Sequence, residues 1–187
     1  MLIICVECGK GISDKADICP HCGCPVSVSL TLSKPANFRV KNDTLLKYIG
    51  NNRIITLPQN IIKIGKNAFR DCVGLEEVIM PESITKISEF AFRGCSQLSS
   101  VIIPDNIKII NDYTFSRCSN LLHVKIPDTV TKICMGAFYS CSNLTEISIP
   151  KNVTLIDHSA FEDCEKLEKI EISGGNDALL GANIIFK

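Results

Sequence analysis

From Pro58 to Ile172 one pattern recurs every 23 residues without a gap. The units open at Pro58, Pro81, Pro104, Pro127 and Pro150, and each holds Pro, Ile or Val, Ile, Phe, Cys, Leu and Val or Ile at fixed places. A strict period of this length marks a solenoid, in which no unit can bury its own apolar face and each relies on its neighbours.

The second unit shows how one coil is expected to run. Leu98, Val101, Ile103 and Asn106 fit the L-x-x-L-x-L-x-x-N frame of a leucine-rich repeat. The alternation Val101–Ile103 predicts a half-buried strand, and the Pro that follows removes a backbone donor and stops it. The Ile107–Ile110 spacing turns the chain back, and the Ala-Phe stretch is expected to form a short helical turn with Phe and Cys inward. Coils then stack at about 4.8 Å, so five of them span roughly 24 Å. Phe69, Phe92, Phe115, Phe138 and Phe161 should form one core ladder, and Leu75, Leu98, Leu121, Leu144 and Leu167 another.

The cysteines divide into two sets. Cys72, Cys95, Cys118, Cys141 and Cys164 keep the 23-residue step and read as small inward packers. The first 24 residues hold a different arrangement, CVECG and CPHCG. Cys5 with Cys8 and Cys19 with Cys22 are two C-x2-C turns, each followed by glycine. Four thiolates aimed at one centre suit a tetrahedral Zn²⁺, and a closed four-sulfur shell is structural. About 25 residues cannot bury a core, so metal must supply the folding free energy. His21 and Cys24 are alternative donors less well placed. A redox C-x2-C would need a neighbouring βαβ pattern, which the segment lacks.

These readings divide the chain into a zinc ribbon at 1–25, a linker at 26–37 and a β-hairpin cap at 38–57 around an Asn-Asp turn. Five repeats follow at 58–172, then a C-terminal cap or degenerate repeat at 173–187.

The head resembles the short zinc-ribbon segments at the N-termini of many bacterial proteins, often adaptors. Residues 38–172, with Ala-Phe and Gly-Cys-x-x-Leu in the consensus, closely resemble the BspA-type (Treponema-type) leucine-rich repeats of bacteria and some protists. That resemblance implies a solenoid used for binding, often on cell surfaces. Binding would then use the variable residues beside the strands, Glu77 and Ile79, Ser100 and Ile102, His123 and Lys125, Glu146 and Ser148, and Lys169 and Glu171.

Twenty basic residues balance twenty acidic ones, so no global field recruits nucleic acid or anionic membrane. No segment reaches the ~18 apolar residues of a membrane span, and MLIICVECGK has no basic leader ahead of its short apolar run. A cytoplasmic chain with reduced thiols is the expectation, with surface display the alternative. No nucleophile and base stand together outside the repeat register, so an enzyme is not expected. A protein partner is, and nucleic acid is not.

Overall fold

The structure is a computed structural model that describes residues 37–174 throughout and, before them, residues 2–4, 11–13, 18, 20 and 21. Two compact units divide at Asn37/Phe38. In the first, β1 (Leu2–Ile4) pairs antiparallel with β2 (Gly11–Ser13), Leu2 facing Ser13 and Ile4 facing Gly11. The four expected metal ligands, most of the linker and residues 175–187 lie outside the described residues.

The second unit is a parallel β-solenoid of about six turns, one more than the five regular repeats. Each coil carries two short strands. The first set comprises β5 (Ile54–Thr56), β7 (Glu77–Ile79), β9 (Ser100–Ile102), β11 (His123–Lys125), β13 (Glu146–Ile149) and β15 (Lys169–Ile172). The second comprises β4 (Thr44–Tyr48), β6 (Lys63–Ile64), β8 (Lys86–Ile87), β10 (Ile109–Ile110), β12 (Lys132–Ile133) and β14 (Leu155–Ile156). Alternation sets each strand's faces: Ile55, Val78, Val101 and Ile147 point inward in the first set, Ile64, Ile87, Ile110 and Ile133 in the second, and all are buried.

Between the two strands a proline-headed turn closes with an i+3 amide donating to the proline carbonyl, as from Ile61 to Pro58 and Ile107 to Pro104. Polar side chains after that proline tie coils together. Asn106 and Asn152 donate to the carbonyls of Glu82 and Asp128, and Ser83 and Thr129 to those of Ile61 and Ile107, all at 2.7–2.8 Å.

The expected helical turn around Ala-Phe is not helical; the described residues contain no helix. The hydrogen bonds show why. Alternate amides look in different directions: Ala68, Arg70 and Cys72 donate three residues back, while Asn67, Phe69 and Asp71 donate to Glu89, Ala91 and Arg93 of the next coil. An α-helix needs every amide to reach back four residues. Two left-handed positions in each regular coil but the last, which keeps one, also break any run. Asn67, Phe90, Tyr113 and Gly136 occupy one, and Asp71, Gly94, Arg117, Ser140 and Asp163 the other, all with φ between 53° and 75°.

Side chains steady this strained path. Phe90 and Tyr113 stack at 5.3 Å with an interplanar angle of 5°, and Lys66 and Arg93 lie 5.4 and 5.7 Å from the Phe90 ring centre. The Tyr113 ring lies so close over Gly136 that a Cβ there would overlap it. Gly136→Ala is therefore expected to cost about 1–3 kcal/mol, from the left-handed backbone and the displaced ring together. In a Tyr113→Ala background only the backbone cost should remain. Chemical denaturation of the four proteins of this cycle measures the coupling, and an equal loss in both backgrounds would disprove the overlap.

The core ladders form as expected. All five phenylalanines from Phe69 to Phe161 are fully buried, with neighbouring ring centres 4.8–5.5 Å apart and planes within 12°. Leu75, Leu98, Leu121 and Leu144 are buried and Leu167 partly so. The described cysteines are free thiols. Those of Cys95, Cys118, Cys141 and Cys164 donate at 3.1–3.2 Å to the carbonyls of Phe69, Phe92, Phe115 and Phe138, one coil back. Each of those carbonyls also accepts an amide from its own coil, so the thiol satisfies a second lone pair. Burial pushes the thiols of Cys95, Cys118 and Cys141 far up, which keeps them protonated donors.

Residues 38–57 are only partly a hairpin. β3 (Phe38–Lys41) pairs antiparallel with β4 through Asn42–Asp43, both left-handed as a tight hairpin turn requires. Yet β4 also pairs parallel with β6, and β5 parallel with β7, so the same segment forms a sixth coil. It is four residues shorter than the others between its two strands. Tyr48 takes the phenylalanine place 5.5 Å from Phe69, and Phe38 covers Tyr48 at 5.4 Å. Exposed Arg39 and Lys41 put two charges on β3, the edge strand of its sheet, which discourages further pairing.

Candidate functional site

The first strand set presents two outward rows. One runs Ile54, Glu77, Ser100, His123, Glu146, Lys169; the other runs Thr56, Ile79, Ile102, Lys125, Ser148, Glu171. Paired registers fix them within each ladder: Ile54 faces Glu77, Ser100 faces His123, Ile102 faces Lys125, Glu146 faces Lys169 and Ser148 faces Glu171. The ten residues expected to meet a partner thus lie on one face. Nine are exposed and Ser100 is half-buried.

The face is not uniform. Ile79 and Ile102 are 47% and 65% exposed, an apolar pair on the outward row. At the opposite end of the strands Arg53 and Glu76 form an ion pair at 2.6 Å across neighbouring coils. Toward the C-terminal coils the surface turns charged. Lys169 meets Glu171 at 2.5 Å and the Ser148 hydroxyl donates to the same carboxylate at 3.3 Å. The ammonium, and secondarily that hydroxyl, hold the Glu171 carboxyl below the usual range.

The ladder of β9 and β11 and that of β13 and β15 are separate, though β11 and β13 lie side by side. A hollow of about 200 Å³ opens there, lined by Leu122, His123, Lys125, Glu146, Ser148 and Glu171 with the backbones between them. It places a cation and two carboxylates around half-buried Val124, an arrangement suited to receiving a partner's side chain. The volume is too small for most small-molecule ligands.

Arg53, Ile54 and Thr56 also belong to this face; they keep the 23-residue step to Glu76, Glu77 and Ile79 but lie in the segment whose sequence reads as a hairpin cap. The second ladder was also not foreseen. The Ile107–Ile110 segment, expected only to turn the chain, contributes a strand at Ile109–Ile110. His158 sits elsewhere, 3.5 Å from Asp157. Among the described residues no group of three or more His, Cys, Asp or Glu could hold a metal ion, and no helix is long and apolar enough to cross a membrane.

Three solved structures share this architecture. A leucine rich cell surface protein of Faecalibacterium prausnitzii is 30% identical with a TM-score of 0.71, over 75% of this chain and 38% of that one. A leucine rich repeat protein of T. pallidum is 27% identical with a TM-score of 0.70, over 74% and 70%. One from Bacteroides ovatus is 33% identical with a TM-score of 0.62, over 69% and 36%. The chain thus spans little more than a third of two of these proteins. No curated protein matches it. The family described as BspA type leucine rich repeat region matches residues 42–168 in six copies, the same six coils the strands trace, and the chain belongs to that family.

Proposed function

We propose that this chain is a non-catalytic scaffold that docks a protein partner on the first strand face, with the head as a structural zinc ribbon acting as adaptor. The observation that carries the first part is the contrast between rows. The inward positions hold the same residue types coil after coil, while the outward rows change from Ile54 and Glu77 to His123, Glu146 and Lys169. Six strands at about 4.8 Å span about 24 Å, and with a few residues' width such a face buries roughly 800 Å² per partner. Its apolar centre and charged end would fix register.

Zn²⁺ held by Cys5, Cys8, Cys19 and Cys22 is supported by ligand spacing, and Cys5 and Cys8 fall in the sequence between the paired strands β1 and β2. Free thiols in the described residues favour a reducing, cytoplasmic setting. The likeness to a cell surface protein favours surface adhesion as the second reading; a nucleic-acid-binding ribbon is the third.

The test is Lys125→Glu with Glu146→Lys against a partner captured from lysate. Binding is expected to weaken by about 0.4–2 kcal/mol, two exposed charge contacts, with Tm unchanged. Binding that survives this change but vanishes on deleting residues 1–25 would make the ribbon the recognition element.

A further inference from the structure

The second strand set carries a face of its own, distinct from the one just described. From β6 to β14 its outward residues are Ile62 and Lys63, Thr85 and Lys86, Lys108 and Ile109, Thr131 and Lys132, and Thr154 and Leu155, none of them acidic; in the first coil Asp43 and Thr44 take the same places. Lys63 and Lys86 are direct cross-strand partners, as are Ile109 with Lys132 and Lys132 with Leu155. Like charges opposite each other destabilise a sheet. Among the described residues no carboxylate forms an ion pair with Lys63, Lys86, Lys108 or Lys132. The threonines of the same face turn their hydroxyls back to the preceding coil's carbonyls, leaving the lysines and aliphatic groups outward. Ile62, Ile109 and Leu155 are 38%, 39% and 47% exposed.

Acidic residues flank this stripe on both sides in sequence: Glu82, Asp105 and Asp128 three residues before it, and Glu89 and Asp112 three residues after. A planar anionic surface such as a bilayer would meet those carboxylates together with the lysines. A narrow chain laid along the stripe would not. The stripe offers no aromatic or arginine side chain for stacking on bases, which disfavours a nucleic acid. Interleaved aliphatic groups call for an occupant that is apolar as well as anionic.

We propose that this second face binds an extended peptide segment lying along the solenoid axis, whose every second residue, acidic or aliphatic in turn, faces the stripe. From Lys63 to Lys132 is three coils, about 14 Å, the reach of roughly four extended residues. Carboxylates meet the lysines and the peptide's aliphatic side chains pack on Ile62, Ile109 and Leu155. This site does not depend on the first strand face.

Fluorescence anisotropy of the full chain with a labelled short peptide repeating Glu-Ser-Leu-Ser, which turns Glu and Leu to one side, tests it. Saturable binding that weakens with salt is expected, lost by about tenfold in Lys63→Gln/Lys86→Gln/Lys132→Gln, three exposed charge contacts of ordinary strength. The Lys125→Glu/Glu146→Lys protein should bind the peptide as the wild type does. A Glu-Ser peptide of equal charge should bind several-fold more weakly. No binding, or binding untouched by the triple change in a protein whose circular dichroism is unaltered, overturns the proposal. Equal affinity for Glu-Ser, or tighter binding of single-stranded DNA, also overturns it by reducing the face to bare charge.

Discussion

Phe115→Ala is expected to destabilise the solenoid by about 3–5 kcal/mol, the range for emptying a buried phenylalanine site. Its ring lies between Phe92 at 5.4 Å and Phe138 at 5.5 Å, nearly parallel to both and fully buried. Neither neighbour can close the gap without leaving its own coil, whose backbone is pinned by amides donating to the next. The loss also falls where coupling between coils is greatest. In a stack held by nearest neighbours, a defect in the middle weakens two interfaces. Phe161→Ala, in the last regular coil, should cost less because that coil can fray by itself. Urea melts of the two variants decide the matter, and equal small losses would show that the ring ladder does not hold the coils together.

Removing the proposed Zn²⁺ is expected to have the other large effect, confined to the head. Structural zinc contributes apparent free energies on the order of 10 kcal/mol to small ribbons, which have too little apolar surface to fold without it. Protein purified without chelator should carry one Zn²⁺ per chain, and Cys5→Ser with Cys19→Ser should abolish it. The antiparallel pairing of Leu2–Ile4 with Gly11–Ser13 should then be lost, seen as rapid amide exchange in those strands. The solenoid, a separate compact unit, should melt as before. Full zinc retention by the double variant would contradict the assigned ligands.

The core was readable because each inward position repeats: five phenylalanines and five ladder cysteines at one spacing leave little choice of which side chains face in. What periodicity could not supply was backbone direction. The Ala-Phe turn has the composition of a helical turn, yet its amides reach alternately backward and into the next coil, and Phe90 and Tyr113 adopt left-handed angles that bulky residues rarely take. Those choices are made by the neighbouring coil, not by local propensity. The sixth coil was hidden for a simpler reason. It lacks four residues and puts Tyr48 where the others have phenylalanine, so neither length nor consensus marks it, while the Asn42–Asp43 hairpin turn draws the eye. The second strand set divides between β8 and β10 into two sheets, and this break beside Asn111 was equally invisible. There the side-chain amide donates to Ile87 at 2.7 Å, the place that the backbone amides of Ser88, Cys134 and Asp157 fill in other coils. On the outward rows the sequence named the residues, because variability over an unchanging core is itself a signal. Their charge pairing, such as Glu171 between Lys169 and Ser148, needed the register.

The claim that a protein docks on the first strand face is tested most directly by hydrogen-exchange or hydroxyl-radical footprinting of the full chain with and without a captured partner. Protection is expected on Glu77–Ile79, Ser100–Ile102, His123–Lys125 and Glu146–Ser148, with the Ala-Phe turns unchanged. Protection confined to the turns, or to residues 1–25 with the strand face as accessible as before, would contradict it.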